Sequence, residues 1–187
     1  TIGDAEYSGV IDNGMAIVDL SDLAAGNYTA SVVYSGDDYY NDKTIIGLEI
    51  TIERRNTTTT VSVVNNTYGN VSVSVAVNAV DQGSTPVTSG TITVNGETFN
   101  ITGETTVVPV SVDIVGANVT VVYAGDDTYN ESTGVVEVIP VKRDVSLDSE
   151  VTNNVVGSAT LAVDVADLVT GEANATGNVV VTIGDAE

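Results

Sequence analysis

The chain has 187 residues, 26 of them acidic against 5 basic, with a formal net charge of -21 and no His, Cys or Trp. Binding a nucleic-acid backbone requires clustered Lys and Arg to displace counterions, so that partner is excluded. Without His or Cys, zinc and haem ligation and the Ser-His, Cys-His and thiol chemistries fall away too, and no apolar run approaches the length that spans a bilayer.

Val and Thr contribute 36 and 25 residues, and both are β-branched, which suits pleated surfaces better than helices. No segment keeps a 3.6-residue apolar period, so an all-β chain is expected. In chain order, an apolar strand leads into Tyr34 and is followed by the turn Ser35-Gly36-Asp37-Asp38-Tyr39-Tyr40-Asn41. A strand over 44–52 comes next and ends before the basic pair Arg54-Arg55. The run 71–77 alternates Val with small residues, the period-two pattern of a strand with one face in a core. Asn95-Gly96 between two alternating runs signals a tight hairpin. A strand into Tyr123, the turn Ala124-Gly125-Asp126-Asp127-Thr128-Tyr129-Asn130 and a strand over 134–141 then precede Lys142-Arg143, and 160–165 alternates again. Met15, Phe99 and the tyrosines read as core and sheet-face residues, with Tyr34 and Tyr123 packing under the turns that follow them. Pro86, Pro109 and Pro140 fall at loops or strand edges, where a missing N–H is tolerated.

Two repeats nest in this order. The segment Val121 to Asn130 matches Val32 to Asn41 at a shift of 89 residues. The longer repeat is the hexamer Thr-Ile-Gly-Asp-Ala-Glu, identical at 1–6 and 182–187, a shift of 181. Such identity is expected of a window on a tandem array in which each period holds two domains. On that reading 54–143 is a complete sandwich of about ninety residues. Residues 1–53 are then the C-terminal half of a second sandwich, and 144–187 the N-terminal half of the next. Joining the halves at the hexamer aligns 177–187 with 90–97 and 7–34 with 99–123. The array is either one long polypeptide or a set of separate subunits that complete one another by strand addition. The repeated hexamer favours the covalent form, since separate subunits gain nothing from it.

The run Gly26-Asn27-Tyr28-Thr29-Ala30-Ser31-Val32-Val33-Tyr34-Ser35-Gly36-Asp37-Asp38-Tyr39-Tyr40 resembles the bacterial immunoglobulin-like repeats of large prokaryotic surface proteins. It is similar to the adhesin-like proteins of methanogenic archaea. The resemblance implies tandem immunoglobulin-like β-sandwiches of antiparallel, Greek-key type, in an extracellular fibre or stalk at the cell surface. It implies neighbouring copies as partners, and contact with other cells or surface glycans through regions outside this segment. Val119 is read in the place of Tyr28, so the second domain is expected to lack a tyrosine-corner hydrogen bond.

The pairs Asp37-Asp38 and Asp126-Asp127 have Asn41, Asp42, Asn130 and Glu131 nearby, and clustered oxygen ligands of this kind suit Ca2+. Against this, Gly-Asp shapes turns by accepting from its own backbone, and the spacing departs from the calcium loop Asp-x-Asp-x-Asp-Gly. The turn reading is preferred, and no other cofactor is expected. Asn-x-Ser/Thr acceptors occur at Asn27, Asn56, Asn65, Asn70, Asn100, Asn118, Asn130 and Asn174, which is 8 of 16 asparagines and implies an exported glycoprotein. Lys43 has the chemistry for an isopeptide crosslink, but neither it nor Lys142 has an evident partner in sequence. Nothing sets two carboxylates across a cleft, so no enzyme is expected. The leading expectation is a non-catalytic spacer. The alternatives are a filament subunit joined by strand exchange and a glycan-binding adhesin module.

Overall fold

A computed structural model describes residues 2, 5–80 and 83–184. Within them the chain is all-β, with no helix. The strands are β1 (Ile11–Asp12), β2 (Met15–Ala16), β3 (Gly26–Tyr34), β4 (Lys43–Ile52), β5 (Thr57–Asn65), β6 (Ser72–Ala79) and β7 (Thr85–Pro86). They continue as β8 (Thr91–Val94), β9 (Glu97–Asn100), β10 (Thr106–Pro109), β11 (Ala117–Tyr123), β12 (Ser132–Val138), β13 (Val145–Asn153) and β14 (Thr160–Asp167).

Two four-stranded sheets form from the middle of the chain, one in the order β10-β6-β5 with β7 also on β6, the other in the order β12-β11-β8-β9. The pairs β1-β2, β3-β4 and β13-β14 are two-stranded antiparallel sheets of their own. By compactness the chain divides into two units, Thr1–Ser62 with Ser74–Val108 and Val119–Val136, and Val63–Val73 with Pro109–Asn118 and Glu137–Glu187.

The alternation read along 71–77 is realised in β6, where Val73, Val75, Val77 and Ala79 are buried and the residues between them only partly so. In β11 the buried set is Val119, Val121 and Tyr123. Each strand puts one face out of water, which gives the middle of the molecule a β-sandwich-like character. In the first unit, Gly134 of β12 lies against β5 so closely that a Cβ there would come within 2.5 Å of the Thr59 carbonyl oxygen. The hydroxyl of Thr57 donates to the Asn130 carbonyl at 2.8 Å and lies within hydrogen-bond distance of Ser132 Oγ, also at 2.8 Å, and so stitches the same edge.

Turn chemistry sets the hairpins. Asn95 and Gly96 both take positive φ, 47° and 93°, as a two-residue hairpin requires, and they join β8 to β9 in the register Val94↔Glu97. Asn13-Gly14 makes a second turn of this kind between β1 and β2, with φ of 50° and 83°. In the β3-β4 hairpin the register slips between Ala30 and Ser31, where Gly47 with φ of 74° is skipped. It is a bulge with glycine in the left-handed region.

Two expectations are corrected here. Met15 is exposed, because β2 is two residues long and faces solvent instead of a core. Val119 does not stand in the place of Tyr28. Tyr34 and Tyr123 end their strands at the same turn, so Val119 is the counterpart of buried Ala30, and Ala117 of Tyr28. Tyr28 itself donates its hydroxyl to the Ala24 carbonyl at 2.9 Å, a bond that Ala117 cannot make.

Candidate functional site

The two Gly-Asp-Asp turns are built alike. Asp37 Oδ1 accepts the backbone N–H groups of Tyr39 and Tyr40, each at 2.8 Å, while its Oδ2 accepts the Tyr34 hydroxyl at 2.9 Å. Asp126 Oδ1 accepts from the amides of Thr128 at 2.7 Å and Tyr129 at 2.8 Å, and its Oδ2 from the Tyr123 hydroxyl at 3.1 Å. The first aspartate of each pair therefore shapes its own turn, as the turn reading expects. Gly36 and Gly125 make this possible: both take φ near 80°, and a Cβ would come within 2.8 Å of the Tyr40 carbonyl oxygen or 2.6 Å of the Tyr129 carbonyl oxygen.

The electrostatics follow from these bonds. The Tyr39 amide, helped by the Tyr34 hydroxyl, holds the Asp37 carboxyl below the ordinary carboxylate value. Burial works to raise Asp126, but the amides of Thr128 and Tyr129, the Tyr123 hydroxyl and the Arg54 charge outweigh it and leave that carboxyl lowered as well. Burial, with the Asp126 carboxylate beside it, pushes the Tyr123 hydroxyl up to about 12. The bond to Asp37 raises Tyr34 in the same direction. Asp38 and Asp127 are exposed, and Asp127 lies 3.9 Å from Arg54 Nη2. Among the described residues no group of three or more acidic, His or Cys side chains converges as a metal site.

The turn at 125–130 is also the receptor of a clamp that sequence reading missed. The Arg55 N–H donates to the Thr128 carbonyl at 2.8 Å, and the Asn130 N–H returns to the Arg55 carbonyl at 2.8 Å. The Arg55 guanidinium lies 5.8 Å from the centre of the Tyr129 ring and donates to Thr85 Oγ1 at 3.0 Å. Asn130 Nδ2 donates to the Arg54 carbonyl at 3.3 Å and to Asn56 Oδ1 at 2.9 Å. The only sequence trace of this clamp is the recurrence of a basic pair before each Thr/Val-rich strand. In the second unit that recurrence behaves differently: Arg143 Nε bonds Asp167 Oδ2 at 2.7 Å, and Asp167 Oδ1 caps the amides of Val169 and Thr170. The Thr170 amide is the largest influence holding the Asp167 carboxyl low, with Arg143 contributing.

Of the glycan acceptors, Asn27, Asn56, Asn70, Asn100, Asn118 and Asn174 are exposed. Asn65 and Asn130 are half-buried and structural, since Asn65 Oδ1 accepts the Thr67 N–H at 2.8 Å and Asn130 forms the clamp. Lys43 opens β4 at an exposed position. A shallow depression of about 500 Å³ is lined by Tyr68, Gly69, Val71 and Val110 to Asp113, and its single aromatic ring offers little to stack a sugar on.

Among the described residues, large apolar side chains are exposed on both terminal hairpins. On the β3-β4 hairpin, Val32, Val33, Ile45, Ile46 and Leu48 are exposed, and on β13-β14 so are Val145, Leu147, Val151 and Leu161. No family model matches this chain, and no curated protein matches it.

Proposed function

We propose that the chain is a non-catalytic repeat unit of an extracellular fibre or stalk on a prokaryotic cell surface, built from tandem immunoglobulin-like sandwiches with a period of 181 residues. The observation that carries this reading is the doubled turn. Tyr34 to Tyr40 and Tyr123 to Tyr129 share five of seven residues and the same hydrogen bonding, and the hexamer shared by 1–6 and 182–187 adds the longer period. A strand of about ten residues at roughly 3.3 Å each spans about 33 Å, so two domains in line advance about 70 Å per period. The net charge of -21 keeps neighbouring fibres apart and the chain extended. With no cysteine, cohesion rests on cores and sheet hydrogen bonds. The exposed acceptor asparagines suit a glycosylated, exported chain.

The exposed apolar faces of β3-β4 and β13-β14 favour one second reading, separate subunits that complete one another. The native material, boiled in detergent and sized by gel and mass spectrometry, distinguishes the two. A species many times 19.1 kDa supports the covalent array, and collapse to one unit supports exchanged subunits. Native material that is one unit in size before denaturation and shows no filament by electron microscopy contradicts both.

A further inference from the structure

We propose that the apolar face of the β3-β4 hairpin is covered by the β13-β14 hairpin of a second copy of this chain, the two closing face to face into a sandwich. The proposal rests on the repeat-unit reading above and names the surfaces through which two units join.

The middle of the molecule supplies the template. At a shift of 88 residues β13-β14 repeats β5-β6 down to the flanking hydrogen bonds. The Val80 N–H donates to the Asn56 carbonyl and the Leu168 N–H to the Asp144 carbonyl, both at 3.0 Å. Asn65 Oδ1 accepts the Thr67 N–H at 2.8 Å, and Asn153 Oδ1 accepts the Val155 N–H at 3.1 Å. The N–H groups of Asn70 and Ser158 then return to the carbonyls of Thr67 and Val155, at 2.9 Å each. In turn β3-β4 repeats β11-β12 with the same aspartate turn, at a shift of 89 that becomes 88 beyond the bulge at Gly47. In the middle the two kinds of hairpin meet. Thr57 Oγ1 donates to the Asn130 carbonyl, Thr59 Oγ1 lies 2.7 Å from Ser132 Oγ, and Arg55 exchanges backbone bonds with Thr128 and Asn130.

Register fixes which faces meet. On β13-β14 the pairs Leu147↔Val165 and Val151↔Leu161 set these four side chains, with Val145 and Val163, on one face. The pairs Asp148↔Asp164 and Glu150↔Ala162 set three carboxylates on the other, which keeps that face in water. On β3-β4 the counterparts of buried Val121, Tyr123 and Val138 are Val32, Tyr34 and Ile50, and Leu48 lies opposite Ala30 on the same face. Apart from Ala30, none of these apolar side chains on the terminal hairpins is buried. At the other edge of β3, Ile2 pairs with Ala30 and both are buried, so the partner covers the face and adds no strand to that edge. One contact differs from the template: Ile45 stands where Gly134 admits the Thr59 carbonyl, so β13 rides further from β4 than β5 does from β12. Charge completes the match. Arg54 lies 3.9 Å from Asp127, and the counterparts Lys142 and Asp38 are both exposed, so docking sets a cation of one copy on the acidic turn of the other.

Each copy carries one surface of each kind, so association is head-to-tail and open-ended. Three double variants of the full chain test this by light scattering over a concentration series, at moderate salt to screen the acidic surfaces. Val32→Asp/Leu48→Asp spoils one face and Leu147→Asp/Leu161→Asp the other. Val33→Asp/Ile46→Asp adds the same charge to the opposite face of β3-β4. The unmodified chain and the third variant are expected to form multimers. The first two variants should each stay monomeric alone, and their equimolar mixture should stop at a heterodimer, because one intact face of each kind remains. All six side chains are exposed, so circular dichroism should be unchanged, and misfolding cannot produce the gain of association on mixing. Association of either face variant that matches the unmodified chain overturns the proposal. So does a mixture that stays monomeric, a third variant that loses association as the first does, or an unmodified chain that never associates. The repeat-unit reading is tested apart from these outcomes, by the mass of the native material.

Discussion

The middle strands and the terminal hairpins carry the same repeat and end in different states. Val121 of β11 is 0% exposed and its counterpart Val32 of β3 is 48% exposed, while Val73 of β6 is 0% exposed and its counterpart Leu161 of β14 is 43% exposed. Strand pairing and turns are nonetheless intact in both regions, down to the same three hydrogen bonds on Asp37 and Asp126. Turns and hairpins are thus local products of the sequence. Burial is not, because a sheet face leaves water only when a second sheet covers it.

Substitutions break the comparison at its widest point when they remove a large side chain. Tyr123→Ala empties a fully buried site and should cost about 3–5 kcal/mol, whereas Tyr34→Ala on the half-buried counterpart should have a much smaller effect; urea unfolding followed by circular dichroism measures both. Next in size, Val73→Ala should cost about 2 kcal/mol, and Leu161→Ala on an open face about 0.5 kcal/mol or less. Equal effects within either pair would show that the terminal hairpins are already packed.

Glycine probes what the two regions share. Gly125→Ala and Gly36→Ala meet the same left-handed backbone and the same carbonyl wall, so both should open their turns, seen as faster amide exchange at Tyr129 and Tyr40. Only the first should also lower the unfolding midpoint, because only that turn sits on a buried tyrosine.

The pH response sharpens the contrast further. Tyr123 has its folded pKa raised to about 12 from the ordinary 10, so the stability it confers is complete below pH 10 and is lost as pH rises toward 12. Tyr123→Phe should flatten that alkaline slope in a pH series of unfolding curves. Asp126 works at the other end: its folded pKa is lowered, so its contribution is present above the ordinary carboxylate value and is lost as pH falls through the folded value. Asp126→Asn should flatten the acid limb.

A more local effect concerns the acceptor asparagines. Asn130→Gln should weaken the clamp by about 1 kcal/mol. Peptide mapping of the native chain should find Asn130 and Asn65 without sugar while exposed acceptors such as Asn118 carry it.

Much of this architecture is legible in the sequence where the physics is local. The Val alternation of β6, the Asn95-Gly96 hairpin and the aspartate turns each depend on residues a few positions apart. Asn13-Gly14 has the same turn chemistry as Asn95-Gly96, but its flanking strands are only two residues long and offer no alternating pattern to mark a hairpin. The Arg55 clamp joins residues more than seventy positions apart, so spacing could not reveal it. Met15 failed as a core residue for the converse reason, since hydrophobicity proposes burial but only a covering sheet provides it.

Amide hydrogen exchange over a concentration series tests the central claim, that the terminal hairpins are halves of a sandwich closed by another copy. Amides of the β3-β4 and β13-β14 hairpins, whose apolar side chains are exposed, should exchange fast in dilute protein and become protected together as copies associate. The amides of β6 and β11 should stay protected throughout. Exchange at the two hairpins that remains fast in the associated state, or protection already complete in dilute protein, would contradict the account.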